Sequence, residues 1–88
     1  MEFRWNDWNV SHIAEHGITP EMAEHVVDHA RRPYPEYIGD DKYRARGQAQ
    51  GGRYIQVIFT FSPASIVYVL HARPLTANEV SQYRRRTR

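Results

Sequence analysis

The 88-residue chain contains no cysteine, two methionines and a single lysine among its twelve basic residues. Without cysteine, structural disulfides and thiol catalysis are excluded, and a zinc site would have to use histidine and carboxylate ligands. No run of eighteen apolar residues occurs, and the first residues lack a basic segment followed by an apolar one. We therefore expect neither a membrane span nor a secretory signal. A reducing cytoplasm fits these absences, and no motif indicates a cofactor.

The length and composition are those of one small folded domain. The hydrophobic fraction is 41% and the charged fraction 25%, which are ordinary values for a globular chain. Eighty-eight residues do not suffice for two separate cores, so we expect a single domain over residues 1–88. Residues 84–88 form a basic tail that is compatible with a frayed terminus and with contact to phosphate groups.

Charge is distributed unevenly along the chain. Residues 1–42 carry a net charge of −5, and residues 43–88 carry +7, with Glu79 as the only acidic residue of the second half. Arginine is the forked donor that suits phosphate groups. A basic half on a small domain indicates binding to a nucleic acid or to an acidic protein.

Helix signals and strand signals alternate in the sequence. Gly17 suits a helix C-cap, Thr19-Pro20 starts a helix, and Thr76 with Glu79 forms a capping box. Gly51-Gly52 predicts a two-residue hairpin turn. The predicted elements are a strand Glu2–Trp5, a helix Asp7–His16, a helix from Pro20 that ends before Pro33, a loop or irregular edge Tyr34–Asp41, strands Lys42–Gln50, Arg53–Ser62 and Ser65–Arg73, and a helix Ala77–Arg85. This order predicts an α+β fold in which the helices cover one face of a sheet that contains a three-stranded antiparallel meander.

The strands supply the first candidate site. Strand alternation puts Arg44 and Arg46 on one side of their strand, and it puts His71 and Arg73 on the side of Val67 and Val69. If the two arginine-bearing sides coincide, guanidinium groups and an imidazole converge over the sheet. Such a surface suits RNA cleavage without a metal, because the 2′-hydroxyl is a nucleophile already in place. A solvated sheet face and a half-buried histidine are equally compatible with the pattern.

This hypothesis has a defined condition for failure. Arg46 and Arg73 on opposite faces of the sheet, or held in internal ion pairs, would remove the basis for a nuclease built on them. Glu79 is open to both interpretations, since its capping box explains its position by local structure alone.

Two histidine pairs have the i, i+4 spacing that can chelate a metal, His12/His16 and His25/His29. Glu15 and Asp28 are adjacent but point about 100° away on a helix, so neither pair has an evident third ligand. We therefore expect no metal site. His16 and His29 are expected to bond to the carbonyls at the ends of their helices.

Several motifs resemble the BrnT-like toxin family. They are Trp5 with Asn9-x-x-His12-Ile13-x-x-His16-Gly17-Ile18, Pro20-Glu21, Arg46-x-x-x-x-Gly51-Gly52-Arg53-Tyr54, the pair Ala72-Arg73, and Glu79 with Tyr83. The resemblance covers roughly residues 3–84. The chain differs from the family pattern at His71, where serine or threonine is usual, and at Glu15, where lysine is frequent.

The resemblance implies a RelE-like ribonuclease fold and the role of a type II toxin that cleaves mRNA without a metal. It also implies a small antitoxin partner, of the ribbon-helix-helix type, through which alone the protein would meet DNA. The expected catalytic residues are His71, Arg73, Arg46 and Glu79. The expected RNA-binding residues are Arg44, Arg53, Tyr83, Arg84 and Arg85.

A second hypothesis belongs to a different class. The basic face would then be a non-catalytic surface that docks an acidic antitoxin segment or another protein. Nonspecific RNA binding is a third possibility, and it predicts a steep dependence of affinity on salt.

Overall fold

A five-stranded sheet and three helices make up the computed structural model, which describes residues 1–88. The strands lie in the order β1-β5-β4-β3-β2; β1 is parallel to β5, and all other neighbours are antiparallel. The elements in chain order are β1 (Phe3–Arg4), α1 (Asp7–Ala14), α2 (Pro20–Asp28), β2 (Glu36–Gly39), β3 (Lys42–Gln48), β4 (Tyr54–Phe61), β5 (Val67–Pro74) and α3 (Ala77–Arg86). The predicted α+β class is confirmed.

Each helix begins at a side-chain cap. Thr19 accepts a hydrogen bond from the backbone of Met22, and Thr76 accepts one from the backbone of Glu79. Asn6 and Asn9 form a reciprocal capping box for α1 that was not predicted from the sequence. Helix α1 ends two residues earlier than predicted, before Gly17 takes a φ of +69°, a left-handed conformation that glycine adopts without strain.

Residues 34–41 were predicted as a loop or an irregular edge, and part of this segment forms an edge strand, β2, with an irregular register. Residues 36–39 pair with β3 through a turn in which Asp40 and Asp41 have φ values of 54° and 59°. Two positive φ values in a row match the right-handed twist of a hairpin. Aspartate tolerates this conformation better than most residues, although it is a weaker signal than glycine. The β3–β4 hairpin also differs, because Ala49 bonds to Arg53 and leaves three loop residues rather than two.

The hydrophobic core lies between the sheet and the first two helices. Strand β4 contributes Ile55, Val57 and Phe59, all fully buried, while its alternate residues face the other way. Ile13 of α1 and Val26 of α2 pack in the same cluster. Burial of this apolar surface is the main force that holds the helices on the sheet.

Helix α3 lies on the opposite face of the sheet. Arg46 and Gln56 alternate with the core residues of β3 and β4, so their side chains leave the sheet on the other side. Arg46 nevertheless bonds to Glu79 of α3. The expectation that all helices share one face was therefore wrong, because α3 covers a polar face with its own charged and aromatic side chains.

A bulge in β5 changes the direction of its last residues. Ile58 pairs with His71 and Phe59 with Val69, which leaves Leu70 without a partner. Each extra residue reverses the alternation of a strand. Arg73 therefore lies on the face opposite to Val69, and its predicted position beside the core valines was wrong.

The end of the chain is ordered helix rather than a frayed tail. Helix α3 continues to Arg86, and the Thr87 hydroxyl donates to the Tyr83 carbonyl at 2.7 Å. Thr87 is buried. None of the helices has the length and apolar character needed to cross a membrane.

Replacement of a core aromatic residue should destabilise the domain strongly. We expect Phe59→Ala to lower the free energy of unfolding by about 3–5 kcal/mol, since the ring is fully buried and its loss leaves a cavity. Urea denaturation followed by circular dichroism measures the change.

Phe61→Ala is the matched control, because Phe61 lies two residues further along the strand and is 36% exposed. Its loss should be less than half as large. Equal losses for the two variants would contradict the description of the core.

Candidate functional site

Three residues on neighbouring strands form a polar line across the face that α3 covers. Arg46 of β3 pairs with Gln56 of β4, and Gln56 pairs with Arg73 of β5. The Arg46 Nε donates to the Gln56 Oε1 at 2.9 Å. The structure thus brings Arg46 and Arg73 to the same face of the sheet, which the sequence left open.

Glu79 accepts hydrogen bonds from both arginines. The two terminal nitrogens of Arg73 donate to its two carboxylate oxygens at 2.8 Å each, and an Arg46 nitrogen donates to Oε2 at 3.1 Å. The same carboxylate accepts from the backbone N–H of Thr76 at 2.9 Å. Glu79 is therefore both a helix cap and the anion of an Arg–Glu–Arg cluster, which we call the Glu79 cluster (Arg46, Arg73 and Glu79).

The electrostatics of the Glu79 cluster keep its carboxylate ionised. Hydrogen bonds from Arg73, and then from the Thr76 backbone, lower the pKa of Glu79 to about 2. The same hydrogen bond raises the pKa of Arg73 above its usual value. Near neutral pH Glu79 has no proton to donate and its lone pairs are engaged, so it is poorly suited to acid–base catalysis.

The two arginines differ in their access to solvent. The Arg46 side chain is 8% exposed, whereas that of Arg73 is 31% exposed. Arg46 thus supports the cluster from beneath, and only Arg73 has a surface that a phosphate can approach. The arginines share a face but are held in internal ion pairs, which is the outcome that counts against a nuclease built on this pair.

A second ion cluster joins the edge strand β2 to the end of α3. Glu36 accepts from Arg44 at 2.9 Å and from Arg86 at 3.0 Å, and Arg86 also donates to the Tyr34 hydroxyl at 3.1 Å. Burial raises the pKa of Glu36, but the hydrogen bonds from Arg86 and Arg44 outweigh it, and the pKa lies below its usual value. Arg44, a predicted RNA-binding residue, is thus engaged within the protein.

The other predicted RNA-binding residues are scattered. Arg53 donates to the carbonyls of Gly17 at 2.7 Å and His16 at 3.1 Å, so it holds the turn that follows α1. Arg84 donates to the Tyr54 hydroxyl at 3.1 Å, and Tyr83 is buried. Of the predicted set, Arg85 alone is exposed and takes part in no recorded contact.

His71 lies at a different place from the Glu79 cluster, where β5 meets α1. Its ring centre is 5.8 Å from that of His16 and 5.9 Å from that of His12. Burial lowers the pKa of His71, and the charges of His16, His12 and Arg73 lower it further. His71 is therefore neutral at pH 7, a form that accepts a proton. His29 bonds to the His25 carbonyl as expected, whereas His16 packs against His71 instead.

Two residues of these clusters were not identified from the sequence. Glu36 lies in β2, which has only four residues. A segment this short gives no clear alternation of polar and apolar residues in the sequence. Gln56 is one polar residue inside an apolar run. Its position opposite two arginines follows only from the register of three strands.

Comparison of the chain with protein-family models, with curated proteins and with solved structures finds no match.

Removal of the Glu79 charge should reduce stability at neutral pH. We expect Glu79→Gln to lower the free energy of unfolding by about 1–2 kcal/mol at pH 7, since partial exposure to water screens the pair. Glutamine also serves in a capping box, so the loss reports the charge rather than the cap. The folded-state pKa is about 2 against a usual 4.5. The stabilisation is therefore complete above pH 4.5 and disappears as the pH falls to 2. Urea denaturation of both proteins from pH 7 to pH 2 measures this difference.

Glu2→Gln is the control, because Glu2 is exposed and forms no ion pair. Its effect should be within about 0.5 kcal/mol at every pH. A Glu79→Gln difference that stays constant down to pH 2 would show that the charge of Glu79 is not what stabilises the cluster.

Proposed function

We propose that this chain is a protein-binding module whose free cations dock an acidic segment of a partner protein. In the family that the sequence resembles, an antitoxin has the position of that partner. The proposed compartment is the cytoplasm. Disulfides are rare there, so the absence of cysteine is compatible with it.

The observation that carries this proposal is the position of the unpaired cations. Four exposed arginines form no ion pair in the structure: Arg31, Arg32, Arg85 and Arg88. Arg86 bonds to Tyr34 and Glu36, which brings the end of α3 beside the segment that follows α2. The four residues therefore gather at one end of the molecule, and we call them the basic end.

The basic end adjoins a strand edge with exposed aromatic and aliphatic side chains. Tyr37 is 59% exposed and Ile38 is 41% exposed, both on β2. Strand β2 has no neighbour on its outer side. Tyrosine is enriched at protein interfaces, and cations around such a patch raise the rate of encounter with an acidic partner. This combination suits a protein better than it suits the cleft of an enzyme.

Neutralisation of the basic end should weaken partner binding. We expect the double variant Arg32→Gln, Arg85→Gln to bind an acidic partner about tenfold more weakly, with a reduced dependence on salt, because exposed ion pairs are individually weak. The partner to use is the protein encoded by the neighbouring reading frame. Isothermal titration calorimetry at 50 and 200 mM salt gives both quantities.

The control double variant is Arg4→Gln, Arg53→Gln, which removes the same charge from exposed positions away from α3 and β2. It should bind within about twofold of the unmodified protein. Equal weakening by both variants would mean that net charge, not the basic end, attracts the partner. Failure to form any complex would exclude an antitoxin-type partner from that reading frame.

RNA cleavage is the second candidate, and His71 is the observation that favours it. The imidazole of His71 has a lowered pKa and can accept a proton, two further imidazoles lie beside it, and Arg73 is two residues away with a partly exposed side chain. Such a nuclease would use Arg73 alone for the phosphate, and Arg46 and Glu79 would only position it.

The test is incubation of single-stranded and ribosome-bound mRNA with the purified protein in EDTA. If the candidate is correct, the RNA is cut, and His71→Asn slows cutting by at least about a hundredfold, the contribution of a general base. His25→Asn, on another helix, should cut at the original rate. RNA that remains intact at high protein concentration, with and without ribosomes, would reject this candidate and leave the docking proposal unaffected.

A further inference from the structure

Three imidazoles from two elements meet beside the edge of the sheet. His12 lies on α1, and His16 lies four residues later in the turn that follows the helix. His71 of β5 approaches both, with ring centres 5.9 Å and 5.8 Å away. Strand β1 pairs with β5 only at residues 67 and 68, so α1 rather than another strand lies beside this part of β5.

We propose that His12, His16 and His71 form a binding site for a divalent transition-metal ion of the zinc class. Imidazole nitrogen is a preferred ligand of zinc, and three histidines with one open position form a known coordination set. Neither His16 nor His71 has a hydrogen-bond partner on its ring, so no existing interaction holds their nitrogens away from an ion.

The rings are close to the separation that an ion requires. With nitrogen–zinc distances of about 2.0–2.1 Å and tetrahedral angles, the ring centres of two ligands lie roughly 5 Å apart. No three side chains stand in a ligating arrangement as the structure has them, but the gap that remains is less than about 1 Å by that arithmetic. His16 is exposed and lies in the turn after α1, so rotation of its side chain meets little resistance.

Glu15 supplies a second feature of metal sites. Its carboxylate lies 3.7 Å from the Nδ1 of His12. Histidines that bind metals usually offer their other nitrogen to a carboxylate, which fixes the tautomer and the orientation of the ring. Here that arrangement leaves the Nε2 of His12 free for the ion. Trp8 stacks on the same ring at 4.9 Å and limits its movement on the other side.

The second histidine pair lacks these features. The rings of His25 and His29 stack at 4.2 Å, and the Nδ1 of His29 is engaged with the His25 carbonyl at 2.9 Å. No third histidine approaches them. The sequence treats the two pairs alike, so the pair on α2 is a matched control within the same chain. The metal site depends on neither partner docking nor RNA cleavage.

The test is titration of the tag-free, chelator-treated full-length protein with zinc chloride, measured by isothermal titration calorimetry. We expect one ion per chain and a higher melting temperature in its presence, since an ion that binds only the folded state stabilises it. His71→Asn and His16→Asn should each weaken binding by at least about tenfold. The double variant His25→Asn, His29→Asn should bind zinc as the unmodified protein does. Cobalt absorption provides a second measurement, because the intensity of its visible bands distinguishes a four-coordinate protein site from the six-coordinate hydrated ion.

Circular dichroism establishes whether each variant is folded. If His71→Asn does not fold, zinc binding by His16→Asn tests the proposal, since His16 is exposed beyond the end of α1 and its replacement should not disturb folding. Absence of saturable binding would overturn the proposal. Binding that survives both single variants, or that is lost in the α2 double variant instead, would equally overturn it, because the ion would then be held elsewhere.

Discussion

The bonds from Arg46 and Arg73 to Glu79 are the constraint on which the arrangement of α3 depends. Arg46 is almost entirely buried, and a buried cation without an anion is strongly unfavourable. Glu79 is the only acidic residue in the second half of the chain, so no other nearby residue of that half can supply the charge. Because Glu79 also caps α3, the helix must start where its carboxylate reaches two strands. The net contribution of such a cluster to stability is modest, but its directionality fixes one position of the helix on the sheet.

The ion pairs explain the uneven distribution of charge along the chain. The acidic first half and the basic second half are joined in space, most clearly where Glu36 receives Arg44 and Arg86. Arginines that suggested a phosphate-binding surface thus serve largely to attach β2 and α3 to the sheet. Four of the cations that form no ion pair, Arg31, Arg32, Arg85 and Arg88, make up the basic end. The positive charge that the surface offers to a partner therefore comes largely from cations that form no ion pair within the protein.

The bulge at Leu70 has consequences at both ends of β5. It places Val69 and Ala72 on the core side, although they are three residues apart, and it turns Arg73 toward Glu79. His71 stands opposite Ile58 next to the irregularity, and its ring reaches α1. His71 and Arg73 thus both follow the unpaired Leu70, and one joins a cluster of imidazoles while the other serves a structural ion cluster.

Local signals in the sequence determined the α+β class, the caps at Thr19 and Thr76, the left-handed Gly17 and the meander of β3, β4 and β5. These features depend on neighbouring residues only, so they can be inferred from spacing and residue type. The pairing of β2 with β3 was not predicted because the turn between them uses two aspartates rather than glycine. Helix α3 was assigned to the wrong face because the side chains that it contacts are polar. The approach of Arg46, Arg73 and Glu79, and that of His12, His16 and His71, were decided by the tertiary structure alone. Each depends on strand register and on a bulge, and a shift of one residue in pairing moves a side chain to the other face of the sheet.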